Sequence, residues 1–157
     1  MRKYFSLILI IAIMLTPIKA EAATDDYKDV PTEIQEAAEQ YGQEYDICPE
    51  LIMAICYKES RYTADITDPT GTCKGVMQIK ESCHKDRMKR LGVTDLYDVE
   101  QNIHVGADYL AELFEEYEDV AIVLGTYHGE STAQTKISIY TRTILLFSAS
   151  LEREHGK

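Results

Sequence analysis

The stretch from Pro49 to Tyr62 constrains the fold of this chain more than any other segment. Drawn as a helix, it is apolar around almost its whole circumference, which is typical of a helix at the centre of a domain. Glu59 stands near its end and shares a helical face with Ile52 and Cys56. Burial on that face disfavours the charged carboxylate and raises its pKa, as a general acid requires. By itself, however, the stretch is more typical of a helix-end glutamate that turns to solvent.

Composition excludes several classes of protein. A chain of 157 residues suits one compact domain, and 45% apolar with 27% charged residues is typical of a globular protein. The formal net charge is -11, and no basic cluster stands out. This charge argues against nucleic acid and against anionic membrane surfaces as partners.

The first 22 residues have the pattern of a signal peptide. Arg2 and Lys3 form a basic start, residues 7–15 are apolar, and a small-x-small cleavage pattern ends at Ala22. The apolar run is short for a membrane span. We therefore expect export, with cleavage after Ala22 or nearby, and no membrane attachment of the mature protein. The alternative is an uncleaved anchor.

An exported chain with four clustered cysteines predicts two disulfides and no free thiol. If Cys48 and Cys56 stand on one helix, about 12 Å of rise separates them, which exceeds disulfide reach. The remaining pairings are Cys48–Cys83 with Cys56–Cys73, which is preferred, or Cys48–Cys73 with Cys56–Cys83. Zinc is the rival explanation, but the chain has no C-x2-C pair. We expect no metal site.

Hydrophobic spacing predicts a mostly helical domain over residues 32–157, preceded by a flexible mature N-terminus at residues 23–31. A capping box at Thr32 and Gln35 predicts the first helix start, with Gly42 near its end. Between residues 61 and 80 the helical signal disappears, which predicts a small irregular or β-containing insert with a short strand over residues 75–79.

Four further helices follow in the prediction. One covers residues 82–91 and stops at Gly92. Asp98 and Asp119 each begin another. A last helix carries an apolar stripe from residue 137 to residue 151.

Four motifs stand in a fixed order along the chain. They are Glu59-Ser60, Gly75-Val76-Met77-Gln78-Ile79, Asn102-Ile103-x-x-Gly106-x-x-Tyr109-Leu110 and Gly125-Thr126-Tyr127-His128-Gly129. In this order they resemble the motifs of the lytic transglycosylase family with the lysozyme-like, SLT-type domain, and more distantly those of goose-type lysozymes. The resemblance covers roughly residues 30–150 and implies a lysozyme-like fold with a central buried helix.

The resemblance also assigns roles around the acid. Glu59 matches the family's single catalytic acid, and Ser60 matches the small residue that follows it. The segment with Gly75, Met77 and Gln78 matches the one that lines the substrate cleft, and a glycine suits a backbone that a sugar approaches closely. The alternatives are a turn glycine at position 75, core packing by Met77 and an orienting role for Gln78.

Two tyrosines and a histidine complete the expected site. Tyr127 matches the tyrosine of an alanine-tyrosine-asparagine motif, and Tyr140 matches a later tyrosine whose hydroxyl approaches the acid. Either could instead be a core residue of its helix. His128 stands where the family usually has asparagine, so it either donates a hydrogen bond in its place or lies on an exposed loop.

The resemblance implies cleavage of peptidoglycan glycan strands with a single carboxylate. Most glycosidases need two carboxylates. The family instead uses the N-acetyl group of N-acetylmuramic acid as nucleophile and releases a 1,6-anhydro product. No metal or organic cofactor is implied, and we expect a monomer.

Two alternatives remain open. One is a hydrolytic lysozyme of the same fold, with Asp65 or Asp68 positioning water. The other is a catalytically inactive, exported glycan-binding protein. By analogy, small enzymes of this kind serve secretion, conjugation or phage machinery.

Overall fold

The computed structural model describes residues 29–131 and 137–157. The predicted signal peptide and most of the predicted flexible N-terminus lie outside the described residues. Within them the chain forms six helices and one two-stranded sheet. These are α1 (Thr32–Tyr45), α2 (Pro49–Ser60), β1 (Cys73–Lys74), β2 (Ile79–Lys80), α3 (Glu81–Leu91), α4 (Val99–Glu116), α5 (Val120–Tyr127) and α6 (Ile139–Glu154). The predicted mostly helical fold with a small β insert is confirmed. No helix in the described ranges is long and apolar enough to cross a membrane.

Helix α2 is the buried centre of the domain. Residues 51–56 of α2 are all buried, and the helix packs against both α1 and α6. Pro49 occupies its first turn, where a missing N–H costs nothing. Arg61 ends it in the left-handed conformation, with φ 53°. The predicted central helix is confirmed, and its apolar circumference is explained by neighbours on two sides.

Short polar side chains begin the later helices. Asp98, Asp119 and Ser138 each accept a hydrogen bond from a backbone N–H in the first turn of α4, α5 and α6. These bonds satisfy N–H groups that have no partner inside the helix. Gly92 ends α3 with φ 72°. The predicted starts at Asp98 and Asp119 and the predicted stop at Gly92 are therefore confirmed.

The start of α1 differs from the prediction. Pro31 is the N-cap, and its carbonyl oxygen accepts hydrogen bonds from the N–H groups of Ile34 and Gln35. Thr32 is already inside the helix and makes no side-chain cap, so the predicted capping box is wrong. The helix also continues past Gly42, where a Cβ would lie 2.7 Å from the carbonyl oxygen of Ile47.

The insert between α2 and α3 is a small hairpin. Cys73 pairs with Lys80 and Lys74 with Ile79 in the antiparallel sheet. The predicted strand over residues 75–79 is wrong, because residues 75–78 form the turn between the strands. Gly75 and Gln78 have φ values of 74° and 49°, and such left-handed conformations do not occur inside a strand.

The prediction of two disulfides is also wrong. All four cysteines are free thiols, and none of them lies at disulfide distance from another. Cys48 caps α2 and Cys56 is fully buried within it, whereas Cys73 lies in β1 and Cys83 in α3. The fold thus distributes the cysteines over separate elements, although they are clustered in sequence.

Candidate active site

Glu59 lies half-buried in the last turn of α2. The hydroxyl of Tyr140, from α6, donates a hydrogen bond to its Oε1 atom. Burial raises the pKa of Glu59, while the Tyr140 hydrogen bond and the charges of His128 and Lys58 lower it less strongly. The net direction is upward, so the carboxyl group can hold a proton closer to neutral pH than an exposed glutamate.

Three side chains from two elements of the site surround Tyr140. Its side chain is buried, and burial together with the charge of Glu59 raises the pKa of its hydroxyl. The imidazole of His128 stacks on its ring, with centroids 3.8 Å apart and an interplanar angle of 12°. The ammonium of Lys58 lies 5.9 Å from the ring centroid. The structure therefore brings Glu59, Tyr140 and His128 together, as the sequence motifs suggest.

Tyr127 joins α5 to the hairpin turn. Its hydroxyl donates to the carbonyl oxygen of Met77 over 2.9 Å. Burial raises the pKa of this hydroxyl strongly, and the charge of Glu59 acts in the same direction. Tyr127 thus lies near the acid, with its hydroxyl bound to the backbone of the turn.

Ser60 connects the end of α2 to the same turn. Its buried hydroxyl lies 2.9 Å from the carbonyl oxygen of Cys56 and 2.8 Å from that of Val76. Both contacts are to backbone within the protein. The structure places Ser60 as a residue that fixes the turn beside Glu59.

The close approach at Gly75 comes from the protein itself. A Cβ at this position would lie 2.1 Å from the carbonyl oxygen of Leu96 and 2.2 Å from Nδ2 of Asn102. Gly75 is therefore a turn glycine, which is one of the alternatives expected from the sequence. The space above it is filled by α4 and the segment before it.

Met77 and Gln78 also face the protein. The Met77 side chain is fully buried and occupies the space left by Gly106, where a Cβ would lie 2.3 Å from its Sδ atom. Gln78 donates from Nε2 to the carbonyl oxygen of Gly75 over 2.9 Å. Met77 is therefore a core residue, and Gln78 orients a neighbouring backbone group.

Asn102 supports the site, although the sequence analysis named it only as the first residue of the third motif and gave it no role. Its Oδ1 accepts from the Met77 N–H over 2.9 Å, and its Nδ2 donates to the carbonyl oxygens of Lys74 and Leu96 over 2.9 and 2.7 Å. It is fully buried in α4. Its signal in the sequence is an amide inside an apolar helical stripe, since buried polar side chains require hydrogen-bond partners.

The carboxylate of Asp68 is engaged in its own turn. It accepts hydrogen bonds from the backbone N–H groups of Thr72 and Cys73 over 2.6 and 2.7 Å, and from that of Thr70 over 3.1 Å. These bonds lower the pKa of Asp68. Among the described residues, no group of three or more His, Cys, Asp or Glu side chains is arranged to hold a metal ion.

A different carboxylate, Glu130, lies near the site. Its Oε2 is 3.2 Å from the position that a Cβ would take at Gly125. Its charge contributes to the raised pKa of Tyr140. Glu130 follows the fourth motif directly, but its carboxylate was not selected from sequence.

Comparison with known proteins agrees with this arrangement. Residues 36–142 match the family described as Transglycosylase SLT domain. The chain is 34% identical over 87 residues to Membrane-bound lytic murein transglycosylase F of Desulfosudis oleivorans, which covers 55% of this chain and 17% of that protein. It is 36% identical over 86 residues to the transglycosylase of Enterobacteria phage PRD1, covering 55% of this chain and 31% of the phage protein. The chain thus spans less than a third of the length of either relative.

A solved structure shares the fold. It is the X-ray structure of an inactive glutamate-to-glutamine mutant of the lytic transglycosylase Slt from Pseudomonas aeruginosa, with a TM-score of 0.69. The match covers 81% of this chain and 25% of that one, at 14% sequence identity. The family match extends over α2, the hairpin turn, α4 and α5, and reaches Tyr140 at the start of α6. With Glu59, its tyrosine partner and the supporting turn all inside the matched region, this chain belongs to the transglycosylase SLT domain family.

Proposed function

We propose that the protein is a peptidoglycan lytic transglycosylase that cleaves the β-1,4 bond between N-acetylmuramic acid and N-acetylglucosamine. The observation that carries this proposal is the half-buried carboxyl group of Glu59, which receives a hydrogen bond from Tyr140. Burial favours its protonated form and the tyrosine hydroxyl stabilises its ionised form. A group balanced in this way can give a proton in one step and accept one in the next.

The proposed reaction has two steps. Glu59 first donates its proton to the glycosidic oxygen while the acetamido oxygen of muramic acid bonds to C1, and the bond from C1 to the leaving oxygen breaks. The 6-hydroxyl then attacks C1, the acetamido oxygen leaves, and the Glu59 carboxylate takes the hydroxyl proton. The product carries a 1,6-anhydro ring. Between the steps, the hydroxyl of Tyr140 stabilises the Glu59 carboxylate.

The hydrogen bonds of Asp68 favour a single-carboxylate mechanism. Asp68, one candidate for the second carboxylate of a hydrolase, has both oxygens bonded within its own turn. The substrate's own acetamido group supplies the nucleophile, so the mechanism needs neither a second carboxylate nor a cofactor.

The test is a digest of purified peptidoglycan followed by mass spectrometry of the released muropeptides. Wild-type protein should release 1,6-anhydromuramic products. Glu59→Gln should remain folded and lose activity by at least about 10²–10⁴-fold, the usual contribution of general acid–base catalysis. Asp65→Asn and Asp68→Asn are the matched controls and should keep most activity.

Three results would contradict the proposal. Products with only reducing-end muramic acid would identify a hydrolytic lysozyme. Loss of activity in Asp65→Asn or Asp68→Asn would indicate a two-carboxylate site. Binding without release of fragments by folded wild-type protein would indicate a glycan-binding protein.

The proposed place of action is outside the cytoplasm, where peptidoglycan lies. The signal-peptide pattern of residues 1–22 supports export. The names of the relatives, one membrane-bound murein transglycosylase and one phage transglycosylase, point to the same compartment. We propose that the enzyme opens the wall locally for a phage, secretion or conjugation machinery. Fractionation of producing cells, with the mature N-terminus sequenced, tests export.

A further inference from the structure

The end of α5 fixes the backbone position of His128. The helix closes with hydrogen bonds from the N–H groups of His128, Gly129 and Glu130 to the carbonyl oxygens of Leu124, Thr126 and Gly125, over 3.1, 2.9 and 2.8 Å. Gly129 takes the left-handed conformation with φ 82°, as this type of helix end requires. The backbone that carries His128 is therefore fixed relative to α5.

The ring stack links that fixed position to the acid. The two rings lie 3.8 Å apart at 12°, and the tyrosine hydroxyl points to Glu59 on another helix. A tyrosine that must reach across two helices loses its hydrogen bond if its ring turns. A flat neighbour on one face restricts that rotation and adds about 0.5–1.5 kcal/mol of pairing energy.

We propose that His128 is a positioning residue, which holds the ring of Tyr140 in the orientation that directs its hydroxyl to Glu59. The imidazole acts through its flat face. Among the described residues, its ring nitrogens make no hydrogen bond, so the stack is its principal contact there. The link from this geometry to turnover rests on the proposed function.

The same arrangement occurs a second time in this chain, away from Glu59. His104 stacks on Tyr41 with centroids 4.2 Å apart at 13°, and the Tyr41 hydroxyl donates to Glu100 over 3.1 Å. Tyr41 lies in α1, and His104 and Glu100 lie in α4. In both places an imidazole covers the ring of a tyrosine that donates to a glutamate. This second group provides an internal control for the stack, and it differs in that Nε2 of His104 also lies 3.1 Å from the Tyr45 hydroxyl.

The experiment compares His128→Ala, His128→Phe and His104→Ala on soluble glycan strands. His128→Ala should lower kcat by about 2- to 10-fold with KM unchanged, the range that corresponds to the loss of one stacked ring. His128→Phe keeps a flat ring and should restore the wild-type kcat. His104→Ala removes an equivalent stack elsewhere and should leave kcat unchanged.

A measurement without substrate tests the geometry separately. The side-chain carboxyl of Glu59 is followed by ¹³C NMR as a function of pH, with Glu59→Gln used for assignment. Both His128 variants lack the imidazole, while Lys58, Tyr127 and Cys56 stay around Glu59 in each. Only His128→Ala should also loosen the Tyr140 hydrogen bond, so its midpoint should lie at higher pH than that of His128→Phe.

The outcomes separate the alternatives. Equal titration midpoints in the two variants, or an unchanged kcat in His128→Ala, would overturn the positioning role. A raised KM in both variants with kcat intact would show that His128 binds the sugar directly, which also overturns it. If wild-type protein cleaves no glycan, the proposed function fails, and the titration still decides whether His128 positions Tyr140.

Discussion

Opposing interactions determine the pKa of Glu59. Burial raises its pKa, and the hydrogen bond from Tyr140 together with nearby positive charges offsets part of that effect. The ionised form is therefore disfavoured but not excluded. The proposed role, in which Glu59 gives a proton and then takes one, requires such a balance rather than full burial or full exposure.

The raised pKa has a consequence for stability. Because the folded state holds the proton more tightly than the unfolded chain, the wild type loses stability as pH rises from about 4.5 through the raised pKa. Glu59→Gln carries no such charge. We expect it to be at least as stable as wild type at pH 7, with its relative advantage diminishing as pH falls through the raised pKa and becoming constant below about pH 4.5. Urea unfolding at pH 4 and pH 7 measures this, and an advantage that grows toward low pH would contradict it.

The thiols differ in their accessibility. Cys83 and Cys48 are exposed, Cys73 is half-buried and Cys56 is fully buried. Although Cys48 is exposed as a whole residue, desolvation of its thiol group and the hydrogen bond to Glu50 raise its pKa to about 11, and full burial raises the pKa of Cys56 further. Since the thiolate is the reactive form, these two should react slowly in the native protein.

We therefore expect Cys83 to react first with a thiol reagent and Cys56 to react only on unfolding. Four thiols per chain should titrate in denaturant without reductant. Cys83→Ser is the control that should remove the fastest phase. Fewer than four thiols in the unreduced, unfolded protein would show that disulfides form.

At the scale of elements, the hairpin turn beside Glu59 is held by three helices. Ser60 of α2 contacts the carbonyl of Val76, Asn102 of α4 binds the Met77 N–H, and Tyr127 of α5 binds the Met77 carbonyl. Three helices thus fix a turn of four residues beside Glu59. The hairpin is too short to be stable by itself, so these bonds determine its conformation.

Two glycines allow a matched test of this packing. Gly71 and Gly75 both have positive φ, at 76° and 74°, but a Cβ at Gly71 has no heavy atom within 4 Å. Gly71→Ala should cost about 1–2 kcal/mol, the left-handed penalty alone. Gly75→Ala adds a clash with Leu96 and Asn102 and should cost distinctly more, with reduced activity. Urea unfolding measures both losses of stability. Equal losses would show that α4 moves enough to accommodate the added methyl group.

At the scale of the whole molecule, α2 and α6 run antiparallel. A glutamate at each end of α2 forms hydrogen bonds with α6 or with the residues that follow it. At one end Glu59 receives the hydroxyl of Tyr140. At the other, the buried Glu50 accepts hydrogen bonds from Nδ1 of His155 and Nζ of Lys157, over 2.8 and 2.6 Å. The second connection anchors the C-terminal end of α6 against the start of α2.

This second connection should depend on pH. Burial alone raises the pKa of Glu50, but the hydrogen bonds from Lys157, His155 and Cys48 outweigh it and lower the pKa to about 2. The stabilisation is therefore complete above about pH 4.5 and is lost as pH falls toward 2. Glu50→Gln should cost about 1.5–3 kcal/mol at pH 7, as for hydrogen bonds to a charged group. Thermal unfolding from pH 2.5 to pH 7 measures the difference, which should shrink at low pH, and a constant difference would contradict the pairing.

The sequence by itself determined the elements and the acid. Apolar spacing defined α2 and the later helices, and Asp98, Asp119 and Gly92 marked their ends. The order of the four motifs selected Glu59 as the candidate acid. The signals for the helices are local, because helix periodicity and caps depend on residues within a few positions of each other. The predicted capping box at Thr32 was wrong because Pro31 is the N-cap of α1.

Tertiary structure alone decided what each side chain contacts. The glycine at position 75 is explained by Asn102, which is 27 positions away, and the partners of Glu50 and Glu59 lie 107 and 81 positions further along the chain. The free cysteines have the same origin, because helix packing separates thiols that are close in sequence. Distances between such residues depend on how α1, α2, α4 and α6 pack, and no local pattern encodes them. For this reason the sequence selected Glu59 as the candidate acid, whereas the structure showed which residues contact it.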